Sequence, residues 1–218
     1  MSNRPDAIAA IKAQRMLPLF YHSDKEVSIR AIEALYKAGI RTIEFTNRGA
    51  EAFGVFEYLK KQSSKDFPGL LLGIGTIKDV GAARSFIGIG ADYIICPAMN
   101  PDVAEVTHKA GLQWIPGCMT PTEIAGAELN GAKLVKLFPG NLLGPEFVSA
   151  VKAVFSDLLF MPTGGVEAEE SNLKGWFKSG VCAVGMGSKL VSKDLLDAKD
   201  YAGLERKTKE AIELIKKI

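Results

Sequence analysis

Two hydrophobic periods trade places along this chain, and the exchange repeats eight times. Short apolar runs bounded by glycine or proline read as buried strands. After each of them apolar residues return at every third or fourth position, the spacing of a helix face. The strand readings fall at 16–21, 41–47, 70–75, 93–97, 113–117, 133–138, 159–163 and 183–187. The stripe Ile29, Ile32, Leu35 and Tyr36 predicts the first helix of the series, with Ser23 or Asp24 as its cap. Phe53, Phe56 and Leu59 mark the second, and further helices are predicted over 78–88, 101–110, 121–130, 145–154, 168–179 and 201–218. Ahead of the first strand, Ile8, Ala9 and Ile11 give residues 6–15 the pattern of a short capping helix. Gly39 and Gly111 each separate a helix from the next strand, where the left-handed conformation that ends a helix favours glycine.

Eight strand–helix units in 218 residues predict an α/β fold of one domain, residues 1–218, closed into a (β/α)8 TIM barrel with the N-terminal helix as its cap. An open doubly wound sheet is the alternative. No Gly-x-Gly-x-x-Gly turn follows the first strand, however, to hold a dinucleotide. No linker or low-complexity stretch divides the chain.

A barrel gathers its chemistry at the C-terminal ends of its strands. The sixth strand, Lys133-Leu134-Val135-Lys136-Leu137-Phe138, stops at Pro139-Gly140 and carries Lys136 between apolar neighbours. Burial there disfavours an ammonium, and a neutral lysine is the nucleophile that Schiff-base chemistry on a carbonyl needs. The alternative is a lysine that snorkels to the strand end or pairs with a carboxylate. Lys133, at the strand's start, can reach solvent. On the second strand Glu44 interrupts the apolar run Ile43-Glu44-Phe45, and Glu44, Thr46 and Arg48 share one parity and hence one face. If Glu44 shares the inward face with Lys136, it can shuttle protons for imine formation and C–C cleavage. Arg48 offers a planar fork for a carboxylate; its alternative is an ordinary surface residue. Gly164-Gly165 after the seventh strand and Gly187-Ser188 after the eighth predict a phosphate cradle of backbone N–H groups, with Ser188 opening a short helix whose N-terminus favours an anion.

Composition narrows the partners. A net charge of +2 gives no field that selects nucleic acid or an anionic membrane, and no apolar run reaches membrane-spanning length. The N-terminus has no basic segment followed by an apolar signal core. Cys96, Cys118 and Cys182 are odd in number and widely spaced, which predicts small buried thiols in a reducing cytoplasm rather than a disulfide framework or zinc site. His108 lies in a predicted helix and reads as a surface residue; His22 and Tyr21 stand at the mouth after the first strand with no partner specified. With only these two histidines and no carboxylate cluster at ligand spacing, no metal is expected.

Five segments occur in an order that resembles one family: Ile43-Glu44-Phe45-Thr46, Gly73-Ile74-Gly75-Thr76, Pro116 to Glu123, Val135-Lys136-Leu137-Phe138-Pro139 and Pro162-Thr163-Gly164-Gly165. They are similar to the 2-keto-3-deoxy-6-phosphogluconate (KDPG) aldolases, which also act as 4-hydroxy-2-oxoglutarate (KHG) aldolases. The resemblance runs from the first strand to Leu190. It implies a class I, metal-independent aldehyde-lyase of Entner–Doudoroff carbohydrate metabolism, with no cofactor and a homotrimeric assembly. By the same resemblance Lys136 is the Schiff-base lysine and Glu44 the general acid/base, working through water. Arg48 holds the pyruvyl carboxylate, Thr76, Pro97 and Phe138 shape that end of the pocket, and Thr163 contacts substrate hydroxyls. Gly164, Gly165, Gly187 and Ser188 take the distal phosphate. Many relatives carry an arginine where Tyr21 stands; this chain looks like the type that draws its carboxylate clamp from the second strand. The segment Phe138 to Pro145 also resembles relatives acting on the galactonate epimer, while Thr163, a valine in those, leans toward the gluconate substrate.

The function expected is cleavage of KDPG to pyruvate and glyceraldehyde 3-phosphate, and of 4-hydroxy-2-oxoglutarate to pyruvate and glyoxylate. The alternatives are a 2-keto-3-deoxy-6-phosphogalactonate aldolase, a non-covalent sugar-phosphate isomerase or epimerase, and a barrel that only binds a phosphorylated metabolite.

Overall fold

A computed structural model describes residues 6–218; residues 1–5, on which the reading of a missing signal segment partly rests, lie outside the described residues. The elements run α1 (Ala7–Gln14), β1 (Met16–Phe20), α2 (Lys25–Lys37), β2 (Thr42–Thr46), α3 (Ala52–Asp66), β3 (Leu71–Gly75), α4 (Val80–Gly88), β4 (Tyr93–Ile95), α5 (Pro101–Lys109), β5 (Gln113–Ile115), β6 (Gly117–Cys118), α6 (Pro121–Leu129), β7 (Leu134–Leu137), α7 (Gly140–Val154), β8 (Leu159–Pro162), α8 (Glu170–Lys178), β9 (Val184–Met186), α9 (Lys193–Asp197) and α10 (Tyr201–Lys216).

Local chemistry explains the boundaries. Asp24 caps α2, its carboxylate accepting from Glu26 N at 2.7 Å and Val27 N at 3.0 Å. Thr120 and Glu123 form a reciprocal capping box that starts α6 directly after β6. Pro116, which has no N–H to donate, interrupts the expected fifth strand and splits it into β5 and β6. Helix α7 begins at Gly140, ahead of the expected start at 145. Gly144 leaves the helix at φ 73°, ψ 170°, and Pro145 restarts it. A residue before proline is pushed out of the helical region, so the kink belongs to that dipeptide. Helix α9, with Ser192 as its cap, had no counterpart in the hydrophobic pattern.

All strand pairs are parallel. One sheet has the order β5-β4-β3-β2-β1-β9 and a second has β6-β7-β8. Further bonds connect the two: Lys136 N donates to Pro116 O at 2.9 Å and Cys182 N to Phe160 O at 3.0 Å, and Thr163 bridges to Gly185. The result is a curled parallel sheet with one parity facing inward. Inward residues Leu17, Leu71, Tyr93, Ile95, Ile115, Leu134, Met161 and Ala183 form one apolar cluster, and Ala7, Ile8 and Ile11 of α1 belong to it. The other parity faces the helices in a larger cluster. Phe45 is one such residue: fully buried, 5.5 Å edge-on to Phe20 and 6.3 Å from Phe56 of α3. Each buried ring of this kind contributes about 1.5–3 kcal/mol, so the outer layer fixes the strand faces that the inner layer uses. Among the described residues no helix is long and apolar enough to cross a membrane.

Candidate active site

Glu44 and Lys136 both point into the curled sheet from strands far apart in the order, and their side chains meet across it. Nζ of Lys136 lies 3.4 Å from Oε1 of Glu44, with the lysine side chain 6% exposed and the glutamate fully buried. The two strands pair with glycines at this level. Glu44 stands opposite Gly73 on β3, and Lys136 opposite Gly117 on β6. Oε2 of Glu44 has no hydrogen-bond partner among the described residues. A buried carboxylate with one free oxygen, next to an amine at the edge of hydrogen-bond reach, is arranged to pass a proton. The Phe138 ring lies 5.5 Å from the same Nζ, and the Phe138–Pro139 bond is cis.

Space for the pair is carved by missing side chains. A Cβ on Gly75 would sit 1.8 Å from Oε1 of Glu44, and one on Gly185 would sit 2.3 Å from Oγ1 of Thr163. Beneath the carboxylate, Tyr93 occupies the place a Cβ on Gly73 would need and donates its hydroxyl to Ile43 O at 2.7 Å. Burial, with the Glu44 charge second, drives the Tyr93 phenol well above its ordinary range, so it stays a donor. Burial pushes the Cys96 thiol up to about 12 against the pull of Trp114 and Lys136.

The sequence-predicted residues separate into two groups. Arg48, Phe138, Thr163, Gly164, Gly165, Gly187 and Ser188 line a cleft of about 650 Å³. Lys136 and Glu44 are not among its lining residues, and neither are Thr76 and Pro97, both half-buried, which follow β3 and β4. Thr76 holds φ 61°, an outlying conformation for a β-branched residue that keeps its side chain at the strand end by strain of about 1–3 kcal/mol. Arg48 reaches the cleft by a different route from the expected one. Strand β2 ends at Thr46, and Arg48 N donates to Thr46 O at 2.9 Å in a tight turn, so the strand's parity does not extend to it.

Thr163 is buried with its Oγ1 unpaired among the described residues. Gly164 and Gly165 follow at φ 92° and 71°, conformations only glycine adopts freely. The bridge between Thr163 and Gly185 engages the Gly164 amide, while among the described residues no acceptor pairs with the N–H groups of Gly165 or Ser188. The expected helix at Ser188 is absent. Leu190 N and Val191 N donate to Gly187 O at 2.8 and 2.9 Å in a single turn, and the extended backbone of Ser192 ends it before α9. The groups expected to take an anion are therefore loop amides and a hydroxyl rather than a helix terminus.

His22 and Tyr21, expected at the mouth, both line the wall. Nδ1 of His22 accepts from Asp24 N at 3.1 Å, and Tyr21 donates to Glu51 at 3.0 Å; two lysines there escaped the sequence reading. Burial and then that carboxylate raise the Tyr21 phenol. Lys189 and Lys193 also border the cleft. Their one signal was position, in the loop after the last strand. His108 is exposed, as expected, with Nε2 3.1 Å from Asn130 O. Cys96 and Cys118 are buried and Cys182 is half-buried, all as free thiols. Among the described residues no three His, Cys, Asp or Glu side chains gather to hold a metal.

A curled parallel α/β sheet that holds a buried amine beside a carboxylate, with a cleft lined by two glycine-rich loops, is the class of arrangement expected of an enzyme acting on a carbonyl. Comparison with known proteins gives the particular family. The family model for KDPG and KHG aldolase matches residues 7–207, and the chain belongs to that family, an aldolase and so a lyase. A 2-dehydro-3-deoxy-phosphogluconate aldolase of Pseudomonas aeruginosa is 30% identical over 202 residues, 91% of this chain and 88% of its own. A probable 2-dehydro-3-deoxy-6-phosphogalactonate aldolase of Rhizobium meliloti is 30% identical over 160 residues, 73% of each chain. In fold, the chain matches a KDPG aldolase from Legionella pneumophila with a TM-score of 0.87 at 23% identity, over 95% of this chain and 98% of that one.

Proposed function

We propose that this protein is a class I aldolase that cleaves KDPG to pyruvate and glyceraldehyde 3-phosphate through a Schiff base on Lys136. The observation that carries the reading is the buried Lys136–Glu44 pair at 3.4 Å. Glu44 takes a proton from the ammonium, and the free amine attacks the C2 ketone. Loss of water from the carbinolamine gives an iminium, which acts as an electron sink. Glu44, through a water, removes the C4 hydroxyl proton. The C3–C4 bond then breaks, its electron pair moving into the enamine, and glyceraldehyde 3-phosphate leaves. Protonation at C3 and hydrolysis return pyruvate and the amine.

Arg48, Thr76, Pro97 and Phe138 are assigned to the pyruvyl end, and Thr163 to the substrate hydroxyls. Gly164, Gly165, Gly187 and Ser188 are assigned to the phosphate. Cleavage of 4-hydroxy-2-oxoglutarate belongs to the same proposal, since the pyruvyl half of the site is unchanged for it. Metal independence, a homotrimer and a cytoplasmic setting are proposed on the family resemblance. A single (β/α)8 domain is supported by the bonds from Lys136 to Pro116 and from Cys182 to Phe160 and by the bridge of Thr163 to Gly185, and α1 as its floor by the packing of Ala7, Ile8 and Ile11 in the inward cluster. The galactonate epimer is a second reading, favoured by a 34% identity over 121 residues with the 2-dehydro-3-deoxy-6-phosphogalactonate aldolase of Escherichia coli.

Borohydride reduction in the presence of pyruvate, followed by peptide mass spectrometry, tests the mechanism. A reduced pyruvyl adduct on Lys136 is expected; folded protein with no adduct refutes the covalent step. Cleavage rates with the two epimeric phosphates then separate gluconate from galactonate.

A further inference from the structure

The cleft wall carries more charge beside the amide cradle than the resemblance assigns. Three basic side chains border it, Arg48, Lys189 and Lys193, with Asp197 as an acid. Lys193 lies 3.5 Å from that same Asp197 on α9, so its charge is offset within the wall. Lys189 differs. Its Nζ lies 2.7 Å from Oε1 of Glu167, and Glu167 stands outside the wall. Lys189 directly follows Ser188, whose N–H has no acceptor among the described residues.

Glu167 is itself tied to the glycine turn. Its N–H donates to Asn172 Oδ1 at 3.1 Å, and Asn172 Nδ2 donates to Gly165 O at 3.0 Å. The loops after β8 and β9 are therefore joined at one point, and the joint holds an ammonium at the rim of the cradle.

We propose that Lys189 is a specificity-determining residue that supplies the positive charge for the distal phosphate, held ready beside the cradle by Glu167. The inference rests on the aldolase reading for the identity of the substrate. Its physical basis is that amides and one hydroxyl must otherwise hold a dianion alone, while charge-assisted bonds are the stronger ones. The lysine side chain is 62% exposed and its partner 35%. An ion pair that exposed contributes little to stability, so a phosphate can draw the ammonium off Glu167 or share it.

The two ends of the pair give opposite predictions. Lys189→Ala should raise KM for KDPG about five- to tenfold more than KM for 4-hydroxy-2-oxoglutarate, with kcat for KDPG within about twofold, the loss expected of one half-exposed charged contact. Glu167→Gln should lower KM for KDPG or leave it, since it frees the ammonium. An unchanged ratio of the two KM values in Lys189→Ala overturns the proposal. So does a matching rise in both variants, which would mean that the pair only braces the loops. Calorimetric titration with inorganic phosphate gives a readout without turnover: weaker binding by Lys189→Ala supports the assignment and equal binding refutes it. Wild-type protein inert toward KDPG would defeat the aldolase reading, and the phosphate titration would still decide the role of Lys189.

Discussion

Replacing Lys136 by methionine should cost more stability than almost any other single change in this chain, and a second change should restore it. The two charges are 3.4 Å apart with the carboxylate fully buried. At an effective dielectric near 20 their attraction is about 5 kcal/mol, set against the desolvation of both groups. In Lys136→Met the carboxylate keeps its burial and loses its only partner, because Oε2 already has none among the described residues. An uncompensated buried charge of this kind costs about 3–5 kcal/mol, a large part of the roughly 5–15 kcal/mol that holds an ordinary domain folded. Glu44→Leu should cost less, toward about 2–3 kcal/mol, because the lysine side chain keeps 6% exposure and its long stem can shift the ammonium toward water. The double variant Glu44→Leu/Lys136→Met replaces the pair by apolar groups of similar volume and should fall within about 1 kcal/mol of wild type. Urea unfolding of the four proteins measures this, with the slope checked for constancy. The expected coupling is several kcal/mol. If the two single losses simply add to within about 0.5 kcal/mol, the residues do not interact as desolvated charges, and the physical argument for the site fails.

Other changes reach different parts of the site. Gly75→Ala places a methyl 1.8 Å from the Glu44 carboxylate and should lower kcat about a hundredfold or more through misplacement while circular dichroism stays native; a near-normal kcat would show that the carboxylate is free to move. Arg48→Met should raise the apparent KM for a pyruvyl-type substrate at least tenfold in steady-state assays, and an unchanged KM removes Arg48 from the clamp. Ser188→Ala should raise KM for KDPG more than for 4-hydroxy-2-oxoglutarate, and equal effects count against the phosphate site. Burial holds Cys96 and Cys118 at about 12 and Cys182 at about 11, against about 8.5 when unfolded. Alkylation at pH 8 should therefore be at least about a hundredfold slower in the folded protein, and stoichiometric labelling at the unfolded rate would contradict the burial. The raised folded values also set a sign: thiol protonation supports the fold below about pH 8.5, and that support is lost as pH climbs toward 11–12.

The hydrophobic pattern gave most of the strands because an inward-facing and a helix-facing parity are both local signals. It also placed Glu44 and Lys136 on candidate inward faces, since an ionisable residue inside an apolar run is conspicuous. Their meeting was not local, and neither was the room for it. That Gly73 yields to Tyr93, and Gly75 to Glu44, depends on which strands lie side by side, and a glycine in a strand looks alike whether it carves a site or weakens a ladder. Arg48 was reached by the right residue through the wrong geometry, because a turn replaced the strand after Thr46. The helix expected at Ser188 became one turn because Ser192 caps the next helix instead. Pro116 was visible as a proline, but not as the break between two short strands.

The distance in sequence between the paired side chains has a consequence for how the molecule comes into being. Glu44 and Lys136 are 92 positions apart, so on the proposed mechanism the reactive pair is incomplete until the seventh strand, β7, is made. A growing chain carries an orphan carboxylate until that strand docks, and contacts of such long range form late. Trapping of pyruvate by borohydride is thus also a clock for closure. During refolding, the adduct should appear only after helical signal has largely recovered. Two fragments divided in the exposed turn near Gly111 should each be inert and become competent only on reassembly, which makes this scaffold a natural split reporter.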